Sequence, residues 1–105
     1  MPLPPPRLVP DALGITQALA QSESLLRLGW LMRESARRLR IVEPALPVPL
    51  RRAVQAGPVD EQGWSLLAAN AAVAAKLRHF QPRLEMLLAE AGVQPAAVRI
   101  RLVKG

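Results

Sequence analysis

Apolar positions along residues 14–40 recur at the three- and four-residue spacing of a helix, with Leu25, Leu28, Met32, Ala36 and Leu39 on one face. Glu23 with Arg27, and Glu34 with Arg38, are i,i+4 pairs on another face of the same helix. The run Pro44-Ala-Leu-Pro47-Val-Pro49 stops it, because each proline lacks a donor and disfavours helix in its predecessor. Leu50 to Ala56 then predicts a short strand bounded by Gly57-Pro58, and Trp64 to Ala69 a second, joined as an antiparallel hairpin. Asn70 is positioned to cap a helix in which Val73, Leu77, Phe80, Leu84, Leu87 and Ala91 line one face. Pro82 is expected to kink or split that helix, and Gly92 to end it. Val98 to Val103 alternates strictly, placing Val98, Ile100 and Leu102 inward on an edge strand. The predicted fold is α+β, in the order α-β-β-α-β, with one three-stranded sheet and helices packed on one face.

Residues 1–10 hold five prolines. Residues 1–13 therefore read as a disordered Pro-rich tail, and 14–105 as the folded domain. Within 105 residues the aromatic side chains are Phe80, Trp30 and Trp64 alone, so the core is expected to rest on Leu, Val, Ile and Ala.

Charge adds a partner to this picture. The formal net charge is +6, from 14 bases and eight acids, and twelve of the bases are arginine. Such an excess suits a polyanion such as nucleic acid, an acidic protein surface, or simply a solvated face. The candidate nucleic-acid contacts are Arg51 and Arg52 on the first strand, Arg99 and Arg101 on the solvent face of the third, and Lys76, Arg78 and Arg83 on the second helix. On the first helix, Leu26, Trp30, Arg33 and Arg37 form a stripe away from the expected core face, with Arg40 close by. An indole among guanidiniums has the composition of a protein-binding hot spot or a base-stacking contact. The other reading is that Trp30 packs beneath the proline-rich segments.

Site chemistry of the catalytic kind is not apparent. There is no cysteine, His79 is the single histidine, and Gly57 and Gly63 enclose Pro-Val-Asp-Glu-Gln rather than a phosphate loop. Asp60-Glu61 and Glu85/Glu90 lack a partner base or nucleophile. The expectation is a non-enzyme with no cofactor and no metal. The N-terminus lacks the order of a secretory signal and no apolar run reaches membrane-spanning length, so the expected compartment is the cytoplasm, with no membrane or small-molecule partner.

From Gly63 onward, Gly63-Trp-Ser-Leu-Leu-Ala-Ala-Asn70-Ala-Ala-Val-Ala-Ala-Lys-Leu77-Arg78, followed by Pro82, Leu84, Gly92 and the alternating Val98–Val103 strand, resembles the DciA family of bacterial replicative-helicase operators or loaders. The resemblance covers about residues 15–104, and Val73 stands where that family usually has Trp. It implies a KH-like domain of the same α-β-β-α-β order. It also implies a non-catalytic DNA-replication accessory protein whose partners are the replicative helicase and single-stranded DNA. The GXXG loop of nucleic-acid-binding KH domains is missing, so any nucleic-acid contact must use the basic surface. A KH-like RNA-binding module and a protein adaptor without a nucleic-acid role are the alternatives.

Overall fold

The computed structural model describes residues 5–103, with side chains for 14–103. Helix α1 spans Pro5–Val42, a 3-10 turn covers Glu43–Ala45, and a single helical turn, α2, covers Val48–Arg51. Strands β1 (Val54–Asp60) and β2 (Gly63–Ala68), helix α3 (Ala71–Glu90) and strand β3 (Val98–Leu102) follow. The molecule is α+β, and apart from the extra turn α2 it has the expected α-β-β-α-β order. The chain divides into two compact units, Met1–Trp30 and Leu31–Gly105.

In the first unit the helix begins at Pro5, inside the segment read as tail, while residues 1–4 of that tail lie outside the described residues. Pro5 and Pro6 occupy the first turn, where a backbone donor has no acceptor within the helix and its loss is harmless. Every residue from Gly14 to Leu28 is exposed. The second unit begins at Leu31.

The second unit is built on a three-stranded sheet in the order β1-β2-β3. β1 pairs antiparallel with β2, and β2 pairs parallel with β3 across the α3 crossover. Central β2 is buried at nearly every position, as a strand flanked on both sides requires. Trp64, Leu66 and Ala68 face the core with Val54 and Val98. The opposite face carries Gln55, Ser65, Leu67, Arg99 and Arg101 by register alternation.

Several local expectations are corrected. The first strand starts at Val54 rather than Leu50, because Pro47 and Pro49 open a helical turn instead of a strand: Pro47 is its N-cap and Pro49 lies in its first turn. Arg51 and Arg52 thus lie at the end of α2, not on a strand. β1 continues through Gly57-Pro58 to Asp60, with a register shift between Ala56 and Val59. Pro58, which cannot donate to a ladder, sits on an edge strand at this irregularity. Helix α3 runs without interruption through Pro82. On β3, Val98 is buried and Ile100 half-buried, but Leu102 is 52% exposed at the end of an edge strand.

The inward face of α1 in the second unit also differs from the one expected. Ser35, Arg38 and Val42 are buried, with Leu31 and Leu39 partly so, whereas Met32 is exposed. Two polar residues occupy core-facing positions because each meets a specific partner. Ser35 accepts the Trp64 indole N–H at 3.0 Å and donates to the Gly57 carbonyl. Arg38 donates to Glu34 at 2.8 Å and to the Pro95 carbonyl at 3.4 Å.

Helix α3 has the expected cap and stop, but its inward stripe is turned from the expected one: Leu77 and Leu84 are buried as expected, Val73, Phe80 and Leu87 are only half-buried, and Ala91 is exposed. The Asn70 side chain accepts the Val73 amide at 2.9 Å, as an N-cap should. Ala74, Leu77, Leu84 and Leu88 are its buried stripe. Gly92, with φ of +81°, reverses the chain, and Val93 returns its amide to the Leu88 carbonyl. Two further α3 side chains reach β3: Glu85 accepts the Val98 amide at 2.8 Å, and Gln81 donates to the Val98 carbonyl.

Candidate nucleic-acid interface

Twelve of the 14 bases and six of the eight acids fall in residues 31–105, so the entire net charge of +6 belongs to the second unit. Its basic side chains are not gathered on one surface. Arg99 and Arg101 project from the sheet face opposite α3, whereas the exposed side of α3 points away from the sheet. Two basic regions therefore lie on opposite sides of the sheet–helix layer.

On the sheet side, Arg99 is already engaged. Its guanidinium reaches across β2 to Asp60 at 2.6 Å and Gln62 at 3.4 Å, and its Nε is buried without a partner. Asp60 also accepts the amides of Gln62 and Gly63, closing the β1–β2 turn. The Arg99 hydrogen bond, followed by the Gln62 amide, holds the Asp60 carboxyl below its ordinary value. Arg101, opposite Leu67, is exposed and has no ion-pair partner among the described residues.

On the helix side, Lys76, His79 and Arg83 follow one another at three- and four-residue steps, so they share a stripe. Arg78 lies on another side of α3. Lys76, Arg78 and Arg83 are all exposed, with no ion pair among the described residues. Beside the stripe is an open groove of about 570 Å³, walled by Pro47, Pro49 and Leu50 from the α2 side and by Val73, Lys76, His79 and Phe80 from α3. Its walls are mainly apolar, and neither Asp nor Glu lines it. Arg52 is exposed at the end of α2, while Arg51 donates to the Glu43 and Leu46 carbonyls at 2.9 and 2.8 Å and so braces the 3-10 turn.

The remaining expected contacts divide between the units. Leu26 and Trp30 are exposed in the first. Arg33, Arg37 and Arg40 are exposed in the second, where Arg37 pairs with Glu34 at 3.2 Å. Burial works to raise the Glu34 carboxyl, but the hydrogen bond and charge of Arg38, with those of Arg37, outweigh it and hold the group below its ordinary value.

The cations are legible in the sequence, but the groove is not. Its walls come from segments more than twenty positions apart, and Pro47 and Pro49 had been read only as helix stops. Among the described residues no three His, Cys, Asp or Glu side chains are grouped to hold a metal, and no helix is long and apolar enough to cross a membrane.

Comparison with protein-family models, with curated proteins and with solved structures found no match.

Proposed function

We propose that this chain is a non-catalytic accessory protein of DNA replication, in which residues 31–105 bind single-stranded DNA through its phosphates. The observation that carries the reading is the placement of the whole +6 charge in that unit, with Arg52, Lys76, Arg78, Arg83 and Arg101 exposed and unpaired. Of the two basic regions, the α3 side is the better suited. Lys76 and Arg83 supply phosphate contacts, and the adjoining groove offers Phe80 and His79 to an unstacked base. The sheet side has one unpaired arginine and no aromatic side chain on its outer face. Contact with the replicative helicase, promotion of its loading and a cytoplasmic setting are what the DciA resemblance implies, and they belong to the same proposal.

Fluorescence anisotropy with an oligothymidylate across a salt series tests the DNA contact. Affinity is expected to be sequence-tolerant, and Lys76→Ala/Arg83→Ala should flatten the slope of log affinity against log salt by about 0.7 per lost contact. If Arg101→Ala carries the loss instead, the sheet face is the site. Stronger binding to a matched RNA oligomer would favour the RNA-binding alternative. Titration of purified replicative helicase tests the remaining half, and absence of binding would reduce the reading to a nucleic-acid module alone.

A further inference from the structure

Six large apolar side chains among the described residues of the first unit are exposed. Leu25 and Leu28 lie on other sides of α1, and the remaining four, Ile15, Leu19, Leu26 and Trp30, are 49%, 61%, 72% and 52% exposed. At 100° per residue they fall within about 60° of one another, so they form a single stripe along α1. No charged residue interrupts it, since Glu23 and Arg27 lie to one side and are the only charges between Gly14 and Trp30. A helix exposed all round gains little from its own hydrogen bonds in water and is ordinarily stabilised by packing its apolar stripe.

The positions within the stripe identify what packs there. Ile15 and Trp30 are equidistant from the midpoint between Ser22 and Glu23, and so are Leu19 and Leu26. We infer that two copies of this chain pair antiparallel through α1 about a twofold axis at that midpoint. Each Ile15 then lies against the other copy's Trp30, and each Leu19 against its Leu26. Such an isologous contact requires a patch complementary to itself, and these four positions meet that requirement. Gly14–Trp30 has one acid and one base and so no net charge, unlike the second unit with its +6; the twofold sets the two Glu23 carboxylates on one flank, each four residues before its own chain's Arg27. Burying the stripe from both copies removes roughly 1,000 Å² from water, a size typical of weak, concentration-dependent contacts, whose dissociation constants lie on the order of micromolar and above.

Sedimentation of the full chain from ~1 to ~100 μM, a range that brackets such a constant, is expected to show the mass rising from 11.4 kDa toward twice that value. Leu19→Glu/Leu26→Glu should stay monomeric throughout, with an unchanged thermal melt. Leu28→Glu, on the opposite side of α1, should dimerise like the parent. Mixing the Leu19→Glu/Leu26→Glu chain with a Leu19→Lys/Leu26→Lys chain should restore a one-to-one dimer. The parent has no cysteine, so direction is read by cross-linking. A short bis-maleimide should join Leu19→Cys chains to Leu26→Cys chains, but not Leu19→Cys chains to each other, because those positions lie roughly 10 Å apart along the axis. A parent chain that stays monomeric at ~100 μM, equal disruption by Leu28→Glu, or efficient self-cross-linking of the Leu19→Cys chain would overturn the inference. Binding of a short oligonucleotide by Ile15→Glu/Leu19→Glu, a monomeric variant that leaves Leu26 and Trp30 in place, should match the parent, so this inference and the DNA-binding proposal fail separately.

Discussion

Trp64 donates its indole N–H to the hydroxyl of Ser35, 29 positions earlier in the chain, and that hydroxyl passes its own hydrogen to the carbonyl of Gly57. One buried hydroxyl thus satisfies a donor on β2 and an acceptor on β1, locking α1 onto the hairpin. Ser35→Ala is expected to leave both groups buried and unpaired, lowering unfolding free energy by about 2 kcal/mol. Trp64→Phe, which also removes the donor, should make the Ser35→Ala loss smaller in its background. A double-mutant cycle in urea measures the coupling, and strict additivity would contradict the shared hydroxyl.

Glu34 is the charge partner of Arg38, a guanidinium with almost no exposure. Because the folded-state carboxyl sits below its ordinary value, its stabilisation is complete above the unfolded pKa and disappears as pH falls through the folded one. Glu34→Gln should destabilise the protein by about 3 kcal/mol near neutrality, since it strands a buried charge. The difference from the parent should shrink in melts taken at progressively lower pH in the acidic range. A difference independent of pH would place the effect in packing rather than charge.

Gly63 opens β2 at φ of +143°, with the space for a Cβ taken by the Ala97 carbonyl oxygen at 2.5 Å. That same carbonyl accepts the Trp64 amide, so it is held in place from the other side. Gly63→Ala should cost about 3 kcal/mol or more, from strained backbone and a clash against a fixed atom. Thermal denaturation decides this: a melt within a few degrees of the parent would show that the loop before β3 yields.

Arg99 and Arg101 are two residues apart on one sheet face, yet opposite results are expected from them. Arg99→Ala should raise the Asp60 titration midpoint toward the ordinary carboxylate range, though not fully, because the Gln62 and Gly63 amides remain. It should change DNA affinity little, as its guanidinium is already bound to Asp60. Carbon-detected NMR of the Asp60 carboxyl follows the first effect, and the salt series follows the second.

These relationships mark where local pattern suffices and where it does not. The extent of α3 was legible because its cap, its apolar spacing and its terminal glycine are all signals within one segment. Strands β2 and β3 were legible as strands for the same reason, although the alternation of β3 overstated its burial at Leu102. The inward face of α1 was not, because Ser35 and Arg38 look like surface residues until Trp64, Gly57 and Pro95 are brought against them. The cations could be counted from sequence. That Arg99 is held by Asp60, 39 positions away, and that Pro47 and Pro49 wall a groove with Phe80 could not.

The grip of Glu85 and Gln81 on the two backbone groups of Val98 has an effect on how the sheet can grow. An incoming strand templated on the outer edge of β3 would find its first rung already filled by side chains from α3. Only the outward groups of Ile100 and Leu102 would remain before the strand ends. Two rungs are too few to nucleate a fourth strand, so this edge is blunted against fibre-like stacking even though Leu102 stands exposed beside it.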